Sequence, residues 1–350
     1  MRIYLENQKM NEVKSVKEDF RKWLVDDLPC KQNFEELIAT FDKGTFVPFI
    51  GAGPSSKLGP PDWDGLFKEM NKPFNLDEPT EKNSDYPEAF SCLYKEFKKI
   101  SKDSSDFFKK LFEIVELKQT RFHPLYLRIW RFFKLCVTTN FDDALRNAYT
   151  EYTKIKNSKT KIKLREYYFH LVKMDNFENS IVYLHGHKNI NFAIIKKEDY
   201  DYFYPSVSQR DGIPILEKFL ERIYKEKTII FMGFSFSDYY VRKFLLYLAK
   251  NEKELRRKHF WITDDTCFYT DKNLKKPEEY RRKEEREEAK KEILNLYKYW
   301  EEFNIFPIVY DHAYNIFVEE LIELVGEQQK IIELVGEQQK IIKEGPTLNG

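Results

Sequence analysis

The chain has 350 residues, with 59 lysines and arginines against 58 aspartates and glutamates, so net charge excludes recruitment of nucleic acid or anionic membrane by the protein as a whole. Its four cysteines form no Cys-x-x-Cys pair, which argues against a disulfide framework and a cysteine-rich zinc site and favours a reducing cytoplasm. No apolar stretch is long enough to span a membrane, and the first residues lack the apolar core of a signal peptide.

Residues 13–43 have apolar positions at helical spacing, interrupted near Pro29, and predict two helices in an N-terminal segment that spans 1–43. Helical spacing recurs later in the chain at 64–71, 87–116, 124–132, 214–225 and 238–249. Short apolar runs lie between the helical segments: FVPFI (46–50), KLCVTT (134–139), YYFHLV (167–172), IVYLHG (181–186), TIIFMG (228–233), HFWIT (259–263) and IFPIVY (305–310). We therefore predict one α/β domain over 44–312, with a Rossmann-like open, mostly parallel sheet of about six or seven strands and helices on both faces.

The first candidate site follows the run at 46–50, in the stretch FVPFIGAGPSSKLGPPDW. Gly51-Ala52-Gly53 would let the backbone pass close to a phosphate or sugar, and the start of a following helix would add a favourable dipole. The stretch is not a Gly-x-Gly-x-x-Gly loop, because Ser56 stands at the third glycine position, and it is not a Walker loop. Taken alone, it favours a structural turn slightly over a nucleotide-binding loop.

The segment 64–125 is too long for a single crossover and mixes helical spacing with loop signals, so we expect a helical insertion that caps the site. The stretch VTTNFDDAL at 137–145 then places Thr139, Asn140 and Asp142 at the end of a predicted strand. Ligands of open parallel sheets bind at the carboxyl ends of the strands, which favours a binding role. Asp142 could instead cap the helix that follows.

The stretch VYLHGHKN at 182–189 places His185 at another strand end, directly before a glycine. Histidine titrates near neutral pH and can act as a general base there, although an isolated histidine is more often structural. His187 lies beyond the glycine and ranks second as a candidate.

The stretch IIFMGFSFSDYYV at 229–241 combines a strand, a glycine and serines with the start of a helix. Gly233 and Ser235 are suited to a ribose hydroxyl or a phosphate, and Ser237 or Asp238 would cap the helix. Like the first motif, this stretch therefore predicts a glycine-containing loop between a buried strand and a helix, at which a phosphate or a ribose could bind.

The end of the chain carries two further features. Residues 272–303 have dense opposite charges at helical spacing, which is typical of a solvated surface helix. Residues 313–350 are predicted to form a helical tail, in which ELVGEQQKII at 323–332 is repeated at 333–342. Ten residues turn a helix by about 1000°, so the two copies do not form one stripe. We interpret them as a tandem duplication, with a partner-binding helix as the alternative.

Together, the four motifs resemble the sirtuin family, and specifically the bacterial sirtuin-like domains found in antiphage defence. Sirtuins carry Gly-Ala-Gly-x-Ser-x-x-x-Gly-Ile-Pro-Asp-Phe-Arg, and the chain has the same spacing from Gly51 to Asp64. Three shorter sirtuin motifs also have counterparts: Gln-Asn-Ile-Asp in Thr139-Asn140-Phe141-Asp142, His-Gly in His185-Gly186, and Gly-Thr-Ser in Gly233-Phe234-Ser235.

The resemblance covers roughly residues 40–312 and has two departures. Asp64 stands where sirtuins have the arginine that ends the first motif. Residues 186–229 contain no cysteine, so we expect neither the zinc ribbon of sirtuin deacylases nor any bound metal. The sirtuin-like defence proteins also lack this ribbon, and they resemble NAD hydrolases in activity.

The resemblance implies that NAD⁺ is the substrate and that the protein hydrolyses it to nicotinamide and ADP-ribose, as a gated effector of antiphage defence. Asn140 would hold the ribose and the attacking water, His185 would act as the base, and Asp142 would bind the carboxamide. The implied binding residues are Gly51, Ala52, Gly53, Ser55, Asp62, Trp63, Thr139, Gly233, Ser235 and Asp238.

Because uncontrolled NAD⁺ hydrolysis would harm the cell, the resemblance also implies a homo-oligomer or a partner, such as a hexameric DNA-translocating ATPase. No contact with membrane or nucleic acid is expected. The alternatives are a sirtuin-type protein deacylase or ADP-ribosyltransferase, and a non-catalytic module that binds NAD or another nucleotide. A dehydrogenase fits less well, because the first loop lacks the third glycine.

Overall fold

A computed structural model describes residues 30–41, 44–56, 58–77, 86–101, 103–117, 124–155, 163–168, 178–236, 238–251, 257–264, 291, 294–295 and 297–310. The predicted helix before residue 30, most of the charged segment at 272–303 and the duplicated tail lie outside the described residues. Among the helices that are described, none has the length and apolar character needed to cross a membrane.

In the described part of the chain, the main sheet has seven strands: β1 (Phe46–Ile50), β2 (Leu135–Thr138), β3 (Arg165–Tyr168), β4 (Ser180–Tyr183), β7 (Thr228–Met232), β8 (His259–Asp264) and β9 (Ile305–Tyr310). Their order is β3-β4-β2-β1-β7-β8-β9, and every neighbouring pair is parallel. A separate antiparallel pair consists of β5 (Gly186–His187) and β6 (Phe192–Ala193). The predicted open parallel sheet is therefore confirmed.

The central strands explain why the sequence shows continuous apolar runs instead of alternation. β1, β2, β4 and β7 are buried along their whole length, as expected for parallel strands that are covered on both faces. After β1 the chain adds β2 on one side, whereas β7 pairs with the other side of β1. The strand order reverses at this point, which is where open α/β sheets bind their ligands.

Helices fill the segments between the strands: α1 (Cys30–Thr40), α2 (Gly53–Ser56), α3 (Trp63–Asn71), α4 (Tyr86–Ile100), α5 (Ser105–Ile114), α6 (Pro124–Phe132), α7 (Ala144–Ile155), α8 (Lys197–Phe203), α9 (Pro205–Ser208), α10 (Ile215–Glu226) and α11 (Tyr239–Asn251). The helical spacing at 87–116 corresponds to two helices, α4 and α5. They separate where the Asp103 carboxylate accepts a hydrogen bond from the Ser105 amide, and where the Ser101 hydroxyl bonds to Asp106. Such side-chain bonds compete with continuation of a helix.

The apolar side chains form three clusters. One joins α1, α6 and α7 to one face of the sheet, and a second joins α8, α10, α11 and the helical residues 297–301 to the other face. The third unites α3, α4 and α5 with Phe141, which follows β2, and with Ala193 of β6. Helices α3, α4 and α5, which lie in the segment predicted as a helical insertion, therefore share an apolar core, and Phe141 places this core beside the carboxyl end of β2.

His259 opens β8 at the amino edge of the sheet, away from the insertion, and is fully buried. Its Nδ1 accepts a hydrogen bond from the backbone amide of Ile229 at 3.1 Å, and its ring centroid lies 4.1 Å from that of Tyr224. Burial lowers the pKa of His259 to about 3, and the nearby Arg257 acts in the same direction. The folded protein therefore holds this imidazole neutral.

We expect His259 to make folding sensitive to acid. An unfolded histidine titrates near pH 6.5, so from about pH 6.5 down to about pH 3 the unfolded chain binds a proton that the folded chain excludes. Stability is therefore lost as the pH falls, by up to about 2 kcal/mol between pH 7 and pH 5 from this group. Urea unfolding at both pH values should show a smaller loss in His259→Asn, and equal losses would contradict this account.

Candidate active site

The loops that follow β1 and β7 touch through their backbones. The amide of Gly51 donates to the carbonyl of Met232, and that of Gly53 donates to the carbonyl of Gly233, both at 3.0 Å. A Cβ atom on Gly51 would lie 2.3 Å from the oxygen of Gly233. Both glycines of the first motif thus serve the contact between two loops, a role that sequence alone does not separate from phosphate binding.

Asn140 is held at the end of β2 by a chain of hydrogen bonds. The Thr138 hydroxyl donates to the carbonyl of Ile50 at 2.8 Å and accepts from the amide of Asn140 at 3.0 Å. The Asn140 Nδ2 donates to the carbonyl of Gly51 at 2.9 Å and to the Ser55 Oγ at 3.3 Å. The orientation of the side-chain amide is therefore fixed by the loop that follows β1, through the two acceptors of its Nδ2.

Two other residues predicted for the site, Ser55 and Asp142, are buried. The Ser55 Oγ is 2.7 Å from the hydroxyl of Tyr126, so it belongs to an internal network. The Asp142 Oδ1 accepts from the amide of Ala144 at 2.8 Å and caps α7, which is the structural alternative that the sequence left open. Burial raises the pKa of Asp142, while the hydrogen bonds from Ala144 and Ser55 act against this rise.

His185 follows β4 and is only 1% exposed. Its Nε2 lies 3.1 Å from the hydroxyl of Tyr204, and its Nδ1 lies 3.5 Å from both the Tyr200 hydroxyl and the Asp238 Oδ2. The Tyr200 hydroxyl itself donates to that Asp238 oxygen at 3.2 Å. This arrangement favours the tautomer with the proton on Nδ1 facing Asp238, in which Nε2 accepts from Tyr204.

Asp238 connects the histidine to the start of α11. Its Oδ1 accepts from the amide of Val241 at 3.0 Å, so it caps the helix as the sequence suggested, and its Oδ2 faces His185. Burial lowers the pKa of His185, while the Asp238 carboxylate acts to raise it. The imidazole is therefore neutral at pH 7, which is the form that a general base needs.

The site combines residues from four strands. In the order β4-β2-β1-β7, the ends of β4 and β7 are about 14 Å apart, because neighbouring strands are spaced by about 4.8 Å. The His185 Nδ1 and the Asp238 Oδ2 are nevertheless 3.5 Å apart, so the chain that leaves β7 brings Asp238 back toward the end of β4. Residues that the sequence placed at separate strand ends thus converge at one edge.

His187, the second-ranked histidine, has a structural environment. Its Nδ1 accepts from the amide of Asn189 at 3.2 Å, and its Nε2 lies 3.1 Å from the Asp143 Oδ1. Burial acts to raise the pKa of Asp143, but hydrogen bonds from His187 and Lys188 outweigh it and hold that pKa below its ordinary value. Gly186, between the two histidines, has a φ of 96° that favours glycine at this tight turn.

The end of the first motif lies in the insertion. Asp62 caps α3, since its Oδ1 accepts from the amide of Gly65 at 2.9 Å. Trp63 stacks on Tyr86 with ring centroids 6.2 Å apart. Asp64, which takes the place of the sirtuin arginine, accepts a hydrogen bond from the Tyr86 hydroxyl at 3.1 Å. This part of the loop is tied to α4.

Three further residues predicted for the binding site are at least partly exposed. Ala52 and Ser235 are exposed, and Thr139 is half-buried. The described residues contain no group of three or more histidine, cysteine, aspartate or glutamate side chains that could hold a metal ion.

The family model described as SIR2-like domain matches residues 134–308, half of the 350-residue chain. The chain belongs to the SIR2-like domain family. Such domains bind NAD, and the match is consistent with an enzyme that uses it. The matched segment begins just before β2 and ends in β9, so it includes Asn140, His185 and Asp238. No curated protein matches the chain.

In this SIR2-like domain, sequence reasoning missed the two tyrosines that contact the histidine. Tyr200 and Tyr204 are both buried and belong to α8 and the residue that follows it. Their spacing of four residues places them on one helical face, and the stretch KEDYDYFY follows the His-Gly motif closely. That spacing could have indicated that the two tyrosines share one side of a helix. It could not have indicated that this side packs against His185, because the contact joins separate parts of the chain.

We expect Gly51→Ala to destabilise the fold by about 2–3 kcal/mol, because the added methyl group would overlap the carbonyl of Gly233. Gly53→Ala is the matched control, since its Cβ would lie 3.0 Å from the nearest atom of Gly233 and needs a smaller shift. Urea unfolding of both variants measures the difference. Equal stability of the two variants would show that the loops can separate without cost.

Proposed function

We propose that this SIR2-like domain is an NAD⁺ hydrolase, which cleaves the bond between nicotinamide and ribose and releases nicotinamide and ADP-ribose. The observation that carries the proposal is that an oriented Asn140 and a neutral His185 both follow the carboxyl ends of strands in a sheet whose order reverses at β1, next to the strand that Asn140 follows. A purely structural edge would need neither an amide oriented by two hydrogen bonds to the neighbouring loop nor a buried histidine paired with a carboxylate.

Cleavage of the bond between nicotinamide and ribose does not require a covalent bond between the protein and the substrate. The nicotinamide ring is cationic in NAD⁺, so it is a good leaving group, and its departure leaves positive charge on the ribose. Catalysis then needs positioning, stabilisation of that charge and a base. The Asn140 Oδ1 would accept from a ribose hydroxyl or from the attacking water, because Gly51 and Ser55 hold the other end of the amide.

His185 would take the proton of the attacking water or of a ribose hydroxyl on Nε2, while Nδ1 keeps its proton toward Asp238. The Tyr204 hydroxyl donates to this Nε2, so it must move aside or relay the proton. Water as the acceptor gives ADP-ribose, and an acceptor within the same molecule would give a cyclic product.

The first and last motifs would bind the rest of the dinucleotide. Gly51 and Gly53 use their amides for the contact between the loops, so exposed Ala52 is the better candidate for a phosphate contact. Ser235, also exposed, would bind the adenosine side. Asp142 would reach the carboxamide only if it left its cap on α7.

We further propose that the activity is gated and serves antiphage defence by depleting NAD⁺. The burial of His185 supports a gate, because a substrate cannot reach a base that is covered by Tyr200 and Tyr204. Assembly into a homo-oligomer, or binding of a partner such as a hexameric DNA-translocating ATPase, would open the site.

Removal of either central residue should abolish turnover. We expect His185→Ala to lower nicotinamide release by at least about 100-fold, since general-base catalysis typically contributes about 10²–10⁴-fold. Asn140→Ala should lower it by about 100-fold as well, because the loss of one positioned polar group at a reaction centre typically costs about 10²–10³-fold. Purified protein is incubated with NAD⁺, with and without candidate activators, and nicotinamide and ADP-ribose are quantified by chromatography. Asn251→Ala, on the exposed end of α11, is the matched control.

Undiminished nicotinamide release by both variants would refute the site. Saturable NAD⁺ binding without turnover under every activating condition would instead favour a regulatory module that binds the dinucleotide. Release that depends on an acylated peptide would favour a protein deacylase.

The pH profile tests the role of His185 separately. Because burial lowers the pKa of His185, the base stays unprotonated in mild acid, and the acid limb of kcat/KM should have its midpoint below about pH 6.5. Asp238→Asn removes the charge that raises this pKa, so it should move the midpoint lower still. A midpoint that stays in place, or moves upward, would mean that another group sets the profile.

A further inference from the structure

Helix α8 and the residue that follows it cover both ring nitrogens of His185. The Tyr204 hydroxyl lies 3.1 Å from Nε2, and the Tyr200 hydroxyl lies 3.5 Å from Nδ1. Both tyrosines are as deeply buried as the imidazole itself. A substrate can therefore reach Nε2 only if Tyr204 moves, so the contacts at the two ends of α8 determine when the histidine becomes accessible.

The carboxyl-terminal end of α8 is held by the helices that pack on the sheet. The Asp201 Oδ1 accepts a hydrogen bond from the Tyr240 hydroxyl of α11 at 2.7 Å. Just beyond α8, the carboxyl group of Glu217 in α10 accepts from the amide of Ser206 at 2.9 Å and from its hydroxyl at 2.7 Å. Asp201 and Glu217 are buried, and a buried polar group that loses its hydrogen bonds carries the cost of its own desolvation. This end is therefore expensive to release.

The amino-terminal end of α8 is held by α4, which lies in the helical insertion. The buried Ser91 Oγ accepts a hydrogen bond from the amide of Lys197 at 3.0 Å and donates to the Glu198 carboxylate at 2.5 Å. The first amides of a helix have no partner within the helix, and Lys196, the residue before α8, makes no capping bond with its side chain. Ser91 therefore caps α8 from another helix.

Two further residues of α4 contact the start of α8. The Glu88 carboxylate pairs with the Lys197 ammonium at 2.9 Å, and the ammonium of Lys196 lies 4.3 Å from the centroid of the Tyr94 ring. Glu88, Ser91 and Tyr94 follow one another at a spacing of three residues, so they share one face of α4. We call these three residues the α4 latch.

We propose that the α4 latch holds α8 closed over His185, so that the protein stays inactive until the helical insertion separates from α8. Because the carboxyl-terminal end of α8 is fixed to α10 and α11, opening begins at the amino-terminal end, where the latch acts. The expected effect on turnover rests on the proposed hydrolase function, whereas the effect on access to His185 does not.

The α4 latch also gives a partner or a second subunit a place to act. Helices α3, α4 and α5 share an apolar core, so a force on any of them is passed to the others. A partner that draws these helices away from α8 removes the Ser91 cap, and the first turn of α8 is then left with unpaired amides. The proposed signal thus enters through the insertion and reaches the histidine through α8.

Access to His185 can be measured on the full chain with diethyl pyrocarbonate, which modifies neutral imidazole, followed by mass spectrometry of the peptides. We expect Ser91→Ala to raise the modification rate of His185 by about five- to thirtyfold, because the loss of two hydrogen bonds shifts a local opening equilibrium by about that factor. His259 is fully buried at the other edge of the sheet and should keep its wild-type rate.

A second serine provides the matched control. The Ser101 hydroxyl lies just after the end of α4 and bonds to the Asp103 carbonyl and the Asp106 carboxylate, both within the insertion. Ser101→Ala should therefore leave the rate at His185 unchanged. Lys196→Met removes the charge above the Tyr94 ring and keeps an unbranched side chain, so it should raise the rate at His185 by about two- to fivefold. This variant keeps the test decisive if Ser91→Ala does not fold.

An unchanged rate at His185 in Ser91→Ala and Lys196→Met would overturn the proposal. An equal rise at His185 and His259 would also overturn it, because it would show a general loss of stability. The same holds for an equal rise in Ser101→Ala, which would show that any weakening of the insertion is sufficient.

Nicotinamide release from NAD⁺ is measured with the same proteins in the absence of activators. Faster modification of His185 together with faster release would support both the latch and the hydrolase function. Faster modification without any release would support the latch while the hydrolase function fails. Release by wild type with an unchanged rate at His185 in the latch variants would support the hydrolase function while the latch fails.

Discussion

The close approach of two backbone loops at the centre of the sheet is the constraint on which the site depends. Gly51 and Gly53 bond directly to the chain that leaves β7, and the space between the loops excludes a Cβ atom on Gly51. Asn140 is in turn hydrogen-bonded to the carbonyl of Gly51. The position of Asn140 is therefore fixed relative to the backbone that follows β1 and β7. These two strands pair along their whole length, so their ends cannot move apart easily.

Asp238 connects the histidine of the site to a helix. One of its oxygens caps α11 and the other faces His185 and Tyr200, so the direction of the helix and the orientation of the imidazole are coupled. Helices α8 and α11 pack in one apolar cluster, which also covers the sheet. A movement of α8 would change the contacts of the histidine, which gives a partner or a second subunit a physical route to the site.

Much of the fold could be predicted because it depends on local patterns. Buried parallel strands produce short continuous apolar runs, and the runs at 46–50, 134–139 and 228–233 correspond to β1, β2 and β7. The division of 87–116 into α4 and α5 was missed, because apolar spacing continues through the break while Asp103 and Ser105 end it. The extent of the domain, from 44 to 312, remains a prediction.

The sequence by itself determined that polar residues follow the ends of buried strands, and that Asn140 and His185 stand among them, because strand ends and turns have local signatures. Only the tertiary structure decided that Asp142 caps a helix, and that Tyr200, Tyr204 and Asp238 surround His185. These contacts join residues that are distant in the chain, and they depend on the order of the strands. A single sequence does not encode that order in any local pattern, because parallel strands that exchange places keep the same apolar runs.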